Sequence, residues 1–188
     1  MDPISANAKG IEYQIAKILT FIGEDRNREG LQDTPARVAR SYQKLFGGYQ
    51  QHPEQILSTM FKSDADQMVV LRDIEFYSTC EHHMIPFFGK ATIGYIPNGR
   101  VVGISKLARL LECFARRLQI QEQLTEQIAD AIQNHLSPLG VGVVVEAKHL
   151  CMVARGVEKQ NSVMVTHALR GTILNDQKAR QEFMECTR

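Results

Sequence analysis

An α+β fold built on an antiparallel four-stranded sheet is what this sequence predicts, and the order of its patterns is the reason. A helical first third gives way to two strands, a pair of long helices, two more strands and a closing helix. Strands that arrive in pairs on either side of a helix pair form hairpins of one antiparallel sheet. Composition agrees: 188 residues suit one domain of ordinary size, 44% hydrophobic residues can bury a core, and 23% charged residues exclude a disordered chain. The change of pattern divides the chain into an N-terminal helical segment, 1–65, and a sheet-bearing domain, 66–188.

Ile11, Ile15, Ile18, Leu19 and Ile22 recur at helical spacing and predict the first helix. Thr34-Pro35 marks a second start, with Thr34 as cap and proline at the first helical position. That helix carries Val38, Tyr42 and Leu45 on one side and stops near Gly47-Gly48. A short helix follows Pro53. Met68 to Tyr77 and Lys90 to Ile96 are rich in β-branched and aromatic residues, as strands are, and Asn98-Gly99 is a strong turn signal. The two long helices run from Ser105 to Leu118, with Leu107, Leu110, Leu111, Phe114 and Leu118 inward, and from Glu122 to Leu136, with Leu124, Ile128, Ile132 and Leu136 inward. Pro138-Leu139-Gly140 ends the second. Val141 to Val157 reads as one long strand, Val163 to Leu169 as another, and a short amphipathic helix begins at Asp176.

A formal net charge of +1 gives no global reason to expect nucleic acid or a membrane surface as partner. No apolar run approaches membrane-spanning length, and Met1-Asp2-Pro3-Ile4-Ser5 lacks a basic and apolar targeting signal. The expected location is the cytoplasm, where four cysteines are thiols or metal ligands rather than disulfides. Cys113 lies in an apolar helical stripe and reads as core; Cys186 lies in the tail and carries no specific signal.

The chemistry concentrates in Cys80-Glu81-His82-His83 and His149-Leu150-Cys151. Cys80 and His83 have the C-x2-H spacing that lets two side chains grip one metal ion, and Cys151 is the third ligand that completes the pattern. Three such ligands with a vacant fourth position describe a catalytic zinc ion; a structural one is closed by four protein ligands. On a continuous strand His149, Cys151 and Arg155 project to one face. Taken singly, His149 reads as a hydrogen-bonded sheet histidine and Cys151 as a small buried hydrophobe; it is their shared face, on a chain with Cys80 and His83, that favours the metal.

Lys106 and Arg109 place two cations near the positive end of a helix dipole, where each costs roughly 0.3–1 kcal/mol. Either both are solvated surface residues, or an anion sits there. Free backbone N–H groups, the Ser105 hydroxyl and the two cations together suit a phosphate, with Arg155 and Arg37 as further charge. Glu122, at the start of the second long helix, either complements that helix end or accepts two hydrogen bonds from a guanine edge.

These residues together resemble the GTP cyclohydrolase I family. Its motifs stand here as Ser78-Thr79-Cys80-Glu81-His82-His83, Gly103-Ile104-Ser105-Lys106-Leu107-Ala108-Arg109, Gln121-Glu122, His149-Leu150-Cys151-Met152 with Ala154-Arg155-Gly156, and Asp33-Thr34-Pro35-Ala36-Arg37. The resemblance runs from about residue 10 to the C-terminus. It implies the tunnelling fold, whose subunit sheets close into a barrel, and a homodecamer of two stacked pentamers with active sites at subunit interfaces. It implies one zinc ion per subunit on Cys80, His83 and Cys151, and a guanine anchor at Glu122 helped by Gln121. Ser105, Lys106, Arg109, Arg155 and Arg37 would hold the triphosphate of GTP, and His149, His82 and Ser105 form the catalytic set. The implied reaction converts GTP and water to 7,8-dihydroneopterin triphosphate and formate.

Gln123 stands where arginine commonly follows Gln-Glu, and Val163 to His167, including Met164, is poorer in threonine and serine than the family usually is. Neither departure touches the metal or acid–base residues. Two rivals remain: a different enzyme of the same fold, acting in deazaguanine or pterin metabolism, and a non-catalytic assembly protein stabilised by zinc. The complete Cys80, His83, Cys151 set argues against the first. Metal removal separates the second, because it melts a structural site but mainly stops turnover at a catalytic one.

Overall fold

The computed structural model describes residues 8–187; the Met1–Ser5 stretch read for targeting lies outside them. The chain divides into two compact units, one ending at Gly47 and one starting at Gly48, so the contact boundary falls earlier than the change of pattern near residue 65.

The first unit contains α1 (Ala8–Phe21) and α2 (Thr34–Leu45), which pack together and bury Leu19 and Ala39. Asp33, not Thr34, occupies the cap position of α2, and Pro35 is its second residue. Thr34 is already helical, and its hydroxyl donates to Gly30 O at 3.5 Å instead of capping. The Asp33 carboxylate pairs with Arg37 on the surface, at 3.2 Å.

The second unit begins with the short helix α3 (Pro53–Ile56) and holds β1 (Met60–Lys62), β2 (Val69–Cys80), β3 (Pro86–Ile96) and β4 (Arg100–Val102). The long helices are α4 (Ile104–Ala115) and α5 (Gln121–Leu136), separated by β5 (Leu118–Gln119). Then come β6 (Gly140–His149), α6 (Leu150–Val153), β7 (Met164–Arg170), α7 (Gly171–Asn175) and α8 (Gln177–Cys186). The sheet is α+β as expected but has five strands in the order β5-β2-β3-β6-β7. Four are antiparallel; the fifth, β5, is two residues long and parallel to the end of β2. Leu118 therefore belongs to this edge strand and not to α4. The Asn98-Gly99 turn forms, with Gly99 at φ 70°, and leads to β4, which pairs with β1 in a separate two-stranded sheet.

Period-two alternation divides the main sheet into two faces. Ala91, Ile93 and Tyr95 of β3 and Val141, Val143 and Val145 of β6 share one core with Leu110, Leu111 and Phe114 of α4 and Leu124, Ile128 and Ile132 of α5. The opposite face is covered near one end by Ile173 and Phe183, which join Val144 and Leu169. Phe183 lies over the cross-strand pair Gly94 and Gly142: a Cβ on Gly142 would stand 2.5 Å from its ring, and one on Gly94 2.8 Å. Those two glycines make room for the ring, which is fully buried. Asp176 caps α8 by accepting from Lys178 N and Ala179 N, which fixes the helix carrying Phe183.

The 17-residue strand read from Val141 to Val157 is corrected. It ends at His149, and Leu150–Val153 form a helical turn. The ladder explains this. Pairing of β6 with β3 stops at Phe87↔His149, beside Pro86, and pairing with β7 stops at Ala147↔Met164. Past His149 the backbone has no strand on either side, and it satisfies itself locally, with Ala154 N donating to Leu150 O at 2.8 Å. Among the described residues no helix is long and apolar enough to cross a membrane.

Removing the ring that seals the second face should leave a void above Gly94 and Gly142. We expect Phe183→Ala to lower unfolding stability by about 3–5 kcal/mol in urea titration; a loss below about 1 kcal/mol would show that α8 is not a packed part of the unit.

Candidate metal centre and active site

The turn between β2 and β3 presents the first two ligands. Cys80 ends β2; its N–H donates to Ile85 O at 2.9 Å and its carbonyl accepts from Met84 N at 2.8 Å. Met84 takes a positive φ of 53° to close this turn. Glu81 N donates to Gln119 O at 3.0 Å, so the short strand β5 braces the same turn. The result brings Cys80 Sγ to 3.8 Å from His83 Nδ1.

The third ligand arrives from the helical turn after β6. The ligand atoms of Cys80, His83 and Cys151 all lie within 4.8 Å of one another. Cys80 is buried, Cys151 half-buried and His83 exposed, so the group is open on one side. Burial pushes the Cys151 thiol up, and the neighbouring Cys80 pushes it further. Two sulfurs that oppose each other's charge, with an imidazole beside them, fit a divalent cation that stabilises thiolate and leaves one position for solvent or substrate.

His149 is the last residue of β6 and is half-buried, on the strand face that also carries Val143, Val145 and Ala147. Its ring stacks on Phe87, with centroids 4.5 Å apart and planes 4° from parallel. Its Nε2 lies 2.8 Å from Gln121 Oε1. Burial lowers its pKa, and the nearby Glu122 carboxylate offsets part of that. His149 and Cys151 line one cleft of about 310 Å³ with Met152, Lys159 and Met164. Their convergence comes from the strand end followed by a helical turn, not from alternation along a strand. Arg155 lies in the loop beyond that turn, close enough to act electrostatically on Cys151. His82 is exposed on the ligand turn, 3.8 Å from the Glu81 carboxylate.

Other expected residues stand apart. Ser105, Lys106 and Arg109 lie in the first turns of α4. Just before that helix, Val102 N donates to the Tyr95 hydroxyl at 3.2 Å. Tyr95 pairs with Val69, at the far end of β2 from Cys80. The last residue of α4 is followed by β5, back beside Thr79 and Cys80. Metal group and α4 N-terminus are thus separated by much of β2, a 12-residue strand rising about 3.3 Å per residue. Glu122 is exposed in the first turn of α5, at the metal end. Gln121 beside it is fully buried, and its amide is turned into the chain. Arg37 belongs to the first unit.

The sequence reading missed Phe87, the partner of His149. Its signal was present only as an aromatic residue following Pro86, and its role depends on β3–β6 register. Ser78, two residues before Cys80 on the same strand face, buries a hydroxyl that has no partner within the described chain.

Cys151→Ser should reduce bound metal from about one ion per chain to a small fraction, measured by elemental analysis, with the far-ultraviolet circular dichroism unchanged. Full metal occupancy in that variant would remove Cys151 from the ligand set.

Residues 11–188 match the sequence profile of the GTP cyclohydrolase I family. A GTP cyclohydrolase 1 of Wolinella succinogenes is 62% identical over 175 residues, which cover 93% of this chain and 94% of that protein. One of Chlorobium phaeovibrioides is 53% identical over 191 residues, covering 100% and 86%. One of Campylobacter lari is 54% identical over 173 residues, covering 92% and 91%. With a profile match that takes in the ligand turn, both long helices and the His149–Cys151 segment, the chain belongs to the GTP cyclohydrolase I family.

Proposed function

We propose that this protein hydrolyses and rearranges GTP to 7,8-dihydroneopterin triphosphate and formate, the first step of tetrahydrofolate and pterin synthesis, in the cytoplasm. The observation that carries this reading is the Cys80, His83 and Cys151 group beside His149 in one cleft, on a chain of this family. Cys80, His83 and Cys151 would hold zinc, which when bound would lower the pKa of a water to ~7 and so supply a nucleophile at neutral pH.

The chain's own residues do the remainder. His149 protonates purine N7 as C8 is attacked, and the imidazole ring opens. A second hydrolysis releases C8 as formate, and the ribose rearranges and closes onto the diamine to make the pterin ring. His82, exposed on the ligand turn, serves proton transfers in these steps. Glu122 anchors the guanine edge. Ser105, Lys106, Arg109, Arg155 and Arg37 are assigned to the triphosphate, with Ser105 also in the catalytic set.

A single chain keeps Ser105, Lys106 and Arg109 at the other end of the sheet from the metal group. That separation supports a pocket completed by a second chain. The outer edges of the sheet support it too: β5 at one side is only two residues long, and β7 at the other offers backbone that no strand covers. We assign the tunnelling fold to residues 66–188, with 1–65 as a segment whose described elements are helical apart from β1. Its sheets close edge to edge into a barrel, and two pentamers stack as a homodecamer.

The direct test is incubation of the zinc-loaded protein with GTP, followed by the pterin chromophore and by formate; no formate release would reject the reaction. Lys106→Ala and Arg109→Ala should each weaken binding of GTP far more than that of guanosine, because each removes a charge-assisted contact worth roughly 1.5–3 kcal/mol. Equal losses for both ligands in a binding titration would return these residues to a solvated helix face.

A further inference from the structure

Gln121 was expected to help hold guanine, yet every polar group of its side chain is already engaged inside the chain. Its Nε2 donates to Val145 O at 2.9 Å, to Met164 O at 3.0 Å and, more weakly, to Thr166 Oγ1 at 3.2 Å. Carbonyl oxygens only accept, so the amide has one orientation: NH2 toward β6 and β7, Oε1 toward His149. An amide oxygen also only accepts. The 2.8 Å contact with His149 therefore requires a proton on Nε2.

The rest of the network has the same definite polarity. Thr125 Oγ1 donates to Gln121 O at 2.7 Å, which spends its hydrogen. The 2.6 Å contact between Thr125 and Thr166 hydroxyls must then run from Thr166 to Thr125. Thr166 in turn accepts from Gln121. Four residues from α5, β6 and β7 are locked in one pattern, with Gln121 and Thr125 both buried. Phe87 supplies the remaining restraint by stacking on the imidazole face.

We propose that Gln121 is a positioning residue that fixes the tautomer and ring orientation of His149, holding one proton on Nε2 so that Nδ1 is the nitrogen that takes up a second proton and passes it to substrate. A stacked ring can still flip by 180° about its Cβ–Cγ bond; the hydrogen bond from Nε2 to Gln121 selects one of the two flips. Without Gln121 the neutral imidazole would divide between two tautomers and two ring flips, and only one of those states presents the correct nitrogen. The functional part of this inference rests on the assignment of His149 as proton donor, whereas the tautomer itself does not.

The decisive experiment is solid-state nitrogen NMR on zinc-loaded protein labelled with [15N]histidine, with the His149 signals identified by their loss in His149→Phe. The expected spectrum of the neutral ring has a protonated Nε2 and an imine-type Nδ1. The reverse tautomer, or a mixture, would overturn the proposal whether or not the enzyme turns over. In Gln121→Met the signals should become mixed, and kcat on GTP should fall about 10–100-fold, as is usual when an outer partner of a working histidine is lost. The KM for GTP and the zinc content should stay near those of the parent. A raised KM with kcat retained would instead make Gln121 a guanine ligand. If Gln121→Met does not fold, the parent spectrum and Thr166→Val decide: the latter keeps Oε1 facing His149 and should keep the tautomer. Parent-rate turnover by His149→Ala would refute the acid role above while leaving the tautomer assignment to the spectrum.

Discussion

The register of β3 against β6 is the constraint on which the site depends. Ten residue pairs run from Phe87↔His149 to Ile96↔Gly140 in the middle of the sheet. A slip of β6 by one residue would exchange its two faces. It would bring Val144 and Glu146 into the core in place of Val143 and Val145, and turn His149 away from Phe87. It would also separate Gly94 from Gly142 and remove the shallow place where Phe183 sits. Apolar packing on both faces therefore selects the same register that stacks His149 on Phe87. The end of this ladder matters equally: because pairing stops beside Pro86, the chain turns after His149 and delivers Cys151 to the Cys80–His83 turn.

The architecture divides the work between the two ends of one sheet. The β2–β3 turn, the end of β6 and the start of α5 bring the Cys80, His83 and Cys151 group together with His149 and Gln121 at one end. The start of α4, with Ser105, Lys106 and Arg109, offers exposed cations at the other end. Binding a long anionic substrate across both is geometrically simple only if neighbouring chains place opposite ends together. An anion bound at the start of α4 would offset the cost of two cations at the positive end of a helix dipole.

Much of this was legible in the residues. Helical periodicity located both long helices within a few positions, because each has a wide buried stripe and Pro138-Leu139-Gly140 closes the second. The C-x2-H spacing and Cys151 named three side chains whose ligand atoms the structure brings within 4.8 Å of one another. What the sequence hid were features decided by partners distant in the chain. The elements β1, β4, β5 and α7 are too short to show a period. The valine-rich run beyond Val141 carries no local signal that the strand stops at His149, since the stop is set by Pro86 on another strand. Gln121 looks like an ordinary polar residue opening a helix, and only the passage of β7 over it, bringing Met164 O and Thr166, shows that it is buried and committed.

The central claim is that two strand ends and a helical turn create a three-ligand catalytic metal site. X-ray absorption at the metal edge of the zinc-loaded protein tests it most directly. The account predicts a shell of two sulfurs at about 2.3 Å and one imidazole nitrogen at about 2.0–2.1 Å, from Cys80, Cys151 and His83, with one further light atom that changes when nucleotide is added. A closed shell of four protein ligands, or one without two sulfurs, would contradict it.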